Sequence, residues 1–366
     1  MNWLRRAGAV AALLLAACSS DTTFTSERIP PPFLGADISA LERIEQAGGV
    51  FKSGGHPGDA IAILHDKGVN LVRLRLFVNP NDSDVQVNDL AYTIRLASRA
   101  RALGMKILLD IHYSDTWADP GHQATPTAWA GLPIDTLARR VRSYTDSVIT
   151  QLKQNNDLPN IVQIGNEIDA GMLWPLGRLN FGSDSTAEWS RLGLLLKAGI
   201  DGVHDALAPG ESVAIMLHYA QGGNSAATQW FFDHVAAQGV PYDMIGLSYY
   251  PWWHGTLAQL KANLDATSQR YGKDLMVVET SYPWRPGGWE SMVTIPTAMN
   301  WPTTPDGQAQ MIRDVSDAVV AAQGGHGLGV VWWYPEAIQV PGLFVWGGGS
   351  LSLFDAGGNL LPAGAF

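Results

Sequence analysis

Short apolar runs recur along the chain, and between them apolar residues return every three or four positions. The runs predict strands over residues 33–38, 70–77, 106–113, 161–169, 212–219, 244–250, 275–282 and 327–334. The periodic segments predict helices over 40–47, 89–103, 134–155, 187–207, 229–238, 257–271 and 308–323, with Gly48-Gly49 and Gly104 as stop signals. The run at 161–169 alternates poorly and ends in Asn166 and Glu167, as a strand buried on both faces does where it emerges at the rim of a parallel sheet. Eight strands with helices between them predict a (β/α)8 barrel, α/β in class and a single domain. An open doubly wound sheet is the runner-up, but no glycine-rich phosphate loop follows the first strand.

A barrel keeps its chemistry at the C-terminal ends of its strands. Here those ends are polar or aromatic one after another: Arg73 and Arg75; Asp110, His112 and Asp115; Asn166 and Glu167; His218; Tyr249 and Tyr250; Glu279; Trp332 and Trp333. The long connections after strands, 114–133, 169–186 and 281–305, bring Trp117, Trp129, Trp174, Trp284, Trp289 and Trp301 to the same face. Aromatic faces in an open groove suit a sugar chain.

Composition narrows the class. With 46% apolar and 16% charged residues the chain buries a large core, and a net charge of −10 without a basic block argues against nucleic acid or an anionic surface as partner. Fourteen Trp against ten Phe and ten Tyr exceed what a core comfortably uses, because each indole N–H needs a partner. The single cysteine, Cys18, excludes a disulfide framework. It closes a segment in which Arg5 and Arg6 precede the apolar run 7–17, ending Leu15-Ala16-Ala17-Cys18, which resembles the lipobox of a bacterial lipoprotein signal. The expected organisation is a signal peptide over 1–18 with lipid on Cys18, a tether over 19–32 stiffened by Pro30, Pro31 and Pro32, and a catalytic domain over 33–366. An extracytoplasmic, membrane-anchored monomer is expected.

Glu167 and Glu279, ending the fourth and seventh strands, face each other across one mouth, as the acid/base and nucleophile of a retaining glycosidase do. Asn166 either hydrogen-bonds a sugar 2-hydroxyl or ties down backbone. Two guanidinium groups on one strand have no cheap burial, so Arg73 is expected near Glu279. His112 binds a hydroxyl or is a satisfied core histidine, beside Asp115 and Trp117. Alternation sends one of Tyr249 and Tyr250, and one of Trp332 and Trp333, into the mouth; Tyr250 and Trp333 are the choices. His218 completes the expected substrate-binding set. The nine histidines are scattered without metal-site spacing, and no Gly-x-Ser-x-Gly elbow occurs, so neither metal, cofactor nor serine nucleophile is expected.

These residues resemble the endo-β-1,4-galactanases of glycoside hydrolase family 53. The resemblance rests on Gly35-Ala-Asp-Ile-Ser39, Val72-Arg-Leu-Arg-Leu76, Asp110-Ile-His-Tyr-Ser-Asp-Thr-Trp-Ala-Asp-Pro120, Gly165-Asn-Glu-Ile-Asp169, Gly246-Leu-Ser-Tyr-Tyr-Pro251, Val278-Glu-Thr-Ser-Tyr-Pro283 and Gly329-Val-Val-Trp-Trp-Tyr-Pro335, over about residues 33–355. It implies Glu167 as acid/base, Glu279 as nucleophile, and β-1,4-galactan of pectin side chains as substrate. Two departures stand out: Tyr334 occupies the position where family members often carry Glu, with Glu336 following Pro335. The loop 284–291 also lacks the acidic ligands with which some bacterial members bind calcium. A clan relative acting on another plant glycan, or a surface glycan-binding lipoprotein without catalysis, are the alternatives.

Overall fold

The computed structural model describes residues 32–180, 182 and 184–365. Cys18, the segment ending at it and the tether up to residue 31 lie outside the described residues. Strands β1 (Phe33–Asp37), β2 (Leu71–Leu76), β3 (Lys106–Ile111), β4 (Ile161–Ile164), β5 (Ala214–Tyr219), β6 (Met244–Ser248), β7 (Asp274–Thr280) and β8 (Gly327–Trp333) pair in parallel, each with the next and β8 with β1, closing the expected barrel. Helices α1 (Leu41–Gln46) and α2 (Ala60–His65) join β1 to β2; α3 (Leu90–Ala102), α4 (Ile134–Gln154), α5 (Thr186–Ala206) and α6 (Ser225–Ala237) follow β2 to β5 in turn. The short α7 (Pro251–His254) and α8 (Leu257–Tyr271) follow β6, and α9 (Pro305–Val320) follows β7.

Caps explain where the observed helices differ from the expected ones. α6 begins four residues before 229 because the Asn224 side chain accepts the Ala227 N–H at 3.1 Å. α9 begins at Pro305, behind a Thr304 cap, the start signal of a capping hydroxyl followed by proline. The six-residue α2, capped by Asp59, is too short for its periodicity to register. Outside the barrel, α5 meets α4 at Gly202, where a Cβ would fall 2.4 Å from the Arg142 carbonyl oxygen.

The barrel interior is layered. Its lower part is an apolar plug to which every strand contributes, among them Phe33, Leu71, Leu108, Ile161, Met216, Met244, Met276 and Leu328. Each such large side chain contributes about 1.5–3 kcal/mol by leaving water. Two residues further along the strands the inward positions turn polar: Arg73 above Leu71, Asp110 above Leu108, Gln163 above Ile161 and His218 above Met216. Strand register puts Asp37 beside Arg73 and Asp110 beside Gln163, and the polar layer runs through these side chains from β1 to β5. The site rests on this layer.

Candidate active site

Two local departures from regular strand deliver the acidic pair. β4 ends at Ile164, and the chain turns through Gly165 (φ 80°) and Glu167 (φ 43°), a left-handed conformation costing a non-glycine residue about 1–2 kcal/mol. Gln123 holds this turn by donating its side-chain N–H groups to the carbonyl oxygens of Asn166 (2.7 Å) and Glu167 (3.1 Å). On β7 the pairing with β8 slips between Val277 and Thr280, a bulge that turns Glu279 inward directly after inward-facing Val278. Oxygens of Glu167 and Glu279 consequently lie within 4.8 Å of each other, with a ring nitrogen of His218 equally near.

The neighbours of the two carboxyls differ. Glu279 accepts hydrogen bonds from the Tyr250 hydroxyl (2.8 Å) and from Arg73 Nη1 (3.2 Å). The fully buried Arg73 also binds Asp37 (2.9 Å), Asp110 (2.9 Å) and the Asn166 side-chain oxygen (2.7 Å). Glu167 pairs with no cation among the described residues; its Oε1 stands 2.5 Å from Ser248 Oγ, which stands 2.9 Å from His218 Nε2. Burial pushes both carboxyls above the usual range, and the charges of Glu279 and Asp169 push Glu167 further. Since Arg73 and Tyr250 support negative charge only at Glu279, the proton the pair shares at neutral pH sits on Glu167. Burial, then Arg73, drives His218 well below its ordinary value, so its ring is neutral.

Above the pair opens a cavity of about 640 Å³, walled by Trp117, Trp333, Tyr334, Tyr250, Trp253 and Trp346, with Asp119, Gln221 and Asn166 among its polar lining. Arg75 braces one wall from behind, its guanidinium carbon 4.2 Å from the Trp117 ring centre and 5.6 Å from that of Trp333. Trp253 (39% exposed) and Phe344 (69% exposed) carry apolar surface out to the rim.

Of the residues expected at the site, Glu167, Glu279, Asn166, Trp117, Tyr250 and Trp333 line this cavity. Tyr249 turns away and donates to the Gly255 carbonyl, and the Trp332 indole donates to that of Leu351. Four expected substrate contacts do not line the cavity, because their side chains are tied to the scaffold. Arg73 lies beneath Glu279. His112 donates from Nε2 to Asp110 (3.0 Å) and accepts the Ala118 N–H at Nδ1 (3.0 Å). Asp115 accepts the Thr127 N–H (2.8 Å), and His218 sits below Glu167. Among the expected loop tryptophans only Trp117 faces the cavity. Trp129 is buried, and the indoles of Trp174, Trp284, Trp289 and Trp301 donate to Ala170, Gly349, Arg285 and Asp314 inside or beside their own loops.

The cavity takes Trp253 and Trp346 instead. The run Tyr250-Pro-Trp-Trp-His254 directly after β6 was the available signal for the first. Gln163 and Ser248 also escaped the sequence reading, although a glutamine inside an apolar strand signals an inward polar layer. Tyr334 lines the cavity, whereas Glu336 is fully buried behind it, accepting the Ala40 N–H at 2.8 Å. In the loop 284–291, the Glu290 side chain is taken up by the N–H groups of Gly287 and Trp289.

The profile of glycosyl hydrolase family 53 matches residues 33–366. The chain is 35% identical to an arabinogalactan endo-beta-1,4-galactanase of Cellvibrio japonicus, over 98% of this chain and 95% of that one. It is 40% identical to a probable arabinogalactan endo-beta-1,4-galactanase A of Aspergillus terreus, over 85% and 87%. In three dimensions it is similar to a GH53 catalytic domain of Ignisphaera aggregans, with a TM-score of 0.82 at 33% identity, covering 92% of this chain and 97% of that one. A barrel whose rim carries two buried carboxyls with unlike neighbours, matched by the family profile from residue 33 to residue 366, is a glycoside hydrolase, and the chain belongs to glycosyl hydrolase family 53.

Proposed function

We propose that the protein is a retaining endo-β-1,4-galactanase acting on the (arabino)galactan side chains of pectin, with Glu167 as general acid/base and Glu279 as nucleophile. The observation that carries the reading is the pair itself: carboxyl oxygens within 4.8 Å, one carboxyl held by a cation and a phenol and the other bonded to a serine hydroxyl, with no cation among the described residues. Retaining glycosidases keep their carboxyls roughly 5–5.5 Å apart, whereas inverting ones need about 6.5–9.5 Å for a water. The names of the Cellvibrio japonicus and Aspergillus terreus relatives favour galactan as the chain cleaved.

Glu279 Oε attacks the anomeric carbon as Glu167 delivers its proton to the glycosidic oxygen, and the leaving chain departs with that proton. Glu167, now a carboxylate, takes a proton from water as the water displaces Glu279 and releases the sugar with its original configuration. Asn166, fixed by Arg73 and Ala118, presents its amide to the same sugar, and Trp333 and Trp117 supply faces for it. The test is reducing-end release from linear β-1,4-galactan, with xylan and mannan beside it, and proton NMR of the first anomer formed. Cleavage of galactan with retention is expected; cleavage of xylan or mannan in its place overturns the substrate, an inverted first product overturns the mechanism, and galactan binding without turnover makes the protein a glycan-capture lipoprotein. We further propose that lipid on Cys18 anchors the enzyme outside the cytoplasm, so that Cys18→Ala moves it from the membrane fraction to the soluble one; an unchanged distribution overturns the anchor.

A further inference from the structure

The orientation of one buried amide fixes the hydrogens of a chain of four side chains ending at Glu167. Asn166 donates from Nδ2 to the Ala118 carbonyl (2.8 Å) and accepts at Oδ1 from Arg73 Nη2 (2.7 Å). Flipping the amide would oppose donor to donor and acceptor to acceptor. Oδ1 therefore faces His218 Nδ1, 2.8 Å away, as a pure acceptor, and Nδ1 must carry the hydrogen. The two donors near Nδ1 are longer, Gln163 Nε2 at 3.2 Å and the Glu167 N–H at 3.4 Å. Gln163 has shorter acceptors for both its hydrogens, Asp110 at 2.6 Å and the Gly165 carbonyl at 3.0 Å.

In the neutral ring a hydrogen on Nδ1 leaves Nε2 as an acceptor, and its partner is Ser248 Oγ at 2.9 Å. The one hydroxyl hydrogen of Ser248 is thus committed to His218, and toward Glu167 Oε1, at 2.5 Å, the oxygen has only lone pairs to offer. We propose that Ser248 is a positioning residue for the acid: with its hydrogen given to His218, it serves Glu167 as an acceptor and holds that carboxyl in the protonated form, aimed and ready to donate. The proposal rests on the reading of Glu167 as the general acid. After Glu167 has given its proton to the leaving oxygen, two acceptors, the carboxylate and Nε2, compete for the single Ser248 hydrogen. That deficit favours return of a proton from the incoming water.

Removing the serine has a sign that separates this arrangement from the ordinary one. If Ser248 accepts from the protonated acid, Ser248→Ala destabilises the acid form, and the alkaline limb of kcat/KM on galactan moves to lower pH, by about half to one unit for one neutral hydrogen bond. If Ser248 donates to the carboxylate, the limb moves up. Glu279, Asp169, Asp119 and Tyr250 face Glu167, and Arg73, Asp110, His112 and His254 face His218; all are unchanged in the variant. A downward shift supports the proposal, and an upward or absent shift overturns it. A second readout needs no activity: nitrogen-15 NMR of histidine-labelled wild-type protein, with the His218 signals identified by their shift in Ser248→Ala. The proposal requires the hydrogen on Nδ1 at neutral pH, and a hydrogen on Nε2 overturns it. Full galactan activity in Glu167→Gln would instead remove the reading on which the proposal rests; loss there together with an unmoved Ser248→Ala limb sinks the serine's role alone.

Discussion

Glu167 and Glu279 are the same side chain, almost equally buried at the same rim, yet their environments pull in opposite directions. Desolvation alone drives each toward neutrality. Around Glu279 a guanidinium and a phenol offset that cost, and the carboxylate they hold has a free lone pair toward the cavity. Around Glu167 the neighbours are a hydroxyl, a neutral imidazole and two further carboxyls, and the cost is met by keeping the proton. On the proposed assignment, two roles come from one residue type, divided by which carboxyl the Arg73 guanidinium reaches.

The sharpest way to break that comparison is to make the leaving group independent of an acid. On galactan, Glu279→Gln should lose more than about 10⁴-fold in kcat, since no covalent step remains, and Glu167→Gln about 10²–10⁴-fold. On an activated aryl β-galactobioside, which needs no proton to depart, Glu167→Gln should recover most of its rate of aryl release in the first turnover while Glu279→Gln stays inactive. Equal recovery by the two variants would mean that the roles have been assigned the wrong way round or are not distinct.

Arg73 is the next largest lever. It serves Asp37, Asp110, Asn166 and Glu279 at once from full burial, a geometry that depends on the planar fork. Arg73→Lys keeps the charge but leaves some of those acceptors unpaired, and kcat/KM should fall by at least about 10²-fold with a measurable loss of thermal stability. A variant with near wild-type turnover would show that charge alone, without the fork, organises the nucleophile.

Tyr250 faces both carboxyls but hydrogen-bonds Glu279 alone. Its hydroxyl donates to the carboxylate at 2.8 Å, so Tyr250→Phe should raise the pKa of Glu279 and lower kcat/KM about 10–100-fold. The proposed mechanism requires Glu279 ionised and Glu167 protonated, so the acid limb of the pH profile should move to higher pH while the alkaline limb, assigned to Glu167, stays. Movement of both limbs would show the two carboxyls titrating as one unit.

Most of this fold was legible because each strand is a short, mostly apolar run and each long helix has a clear period. The two glutamates were legible because strand ends carry chemistry in a barrel. What was hidden depended on register and hydrogen-bond direction. Nothing local in the sequence shows that β7 bulges to turn Glu279 inward after Val278, that Glu167 adopts a left-handed backbone, or that His218, at a strand end, points at Ser248 rather than at substrate. The loop tryptophans were misplaced for a physical reason: four of the six expected at the cavity give their indole N–H to carbonyls or a carboxylate that fix their loops, and Trp253, on the short α7, was free to face outward.

Glu336 shows what burial does to a carboxyl with no cation bonded to it among the described residues, Arg75 acting on it only at a distance. It is fully buried, its Oε1 accepts the Ala40 N–H, and its Oε2 finds no partner among the described residues. Burial, with Asp37 nearby, carries it from an ordinary value of 4.5 to about 8. A carboxyl whose folded pKa lies above its unfolded one binds more protons folded than unfolded. Its contribution is fully present below about pH 4.5 and is lost as pH rises through about 8. Wild-type stability should therefore decline over that window. Glu336→Gln, which cannot ionise, should decline less, starting no more stable at pH 5 because its amide hydrogens replace a carboxyl in an apolar site, and ending more stable at pH 8. About 1 kcal/mol moves the Tm of a domain this large by roughly 2 °C, so the two melting curves should cross within a few degrees. If they run parallel, Glu336 does not titrate in that window. Burial alone would then not hold a proton on a carboxyl in this barrel, and the proton on Glu167 would have to come from its neighbours, Glu279, Asp169 and Ser248, rather than from its depth.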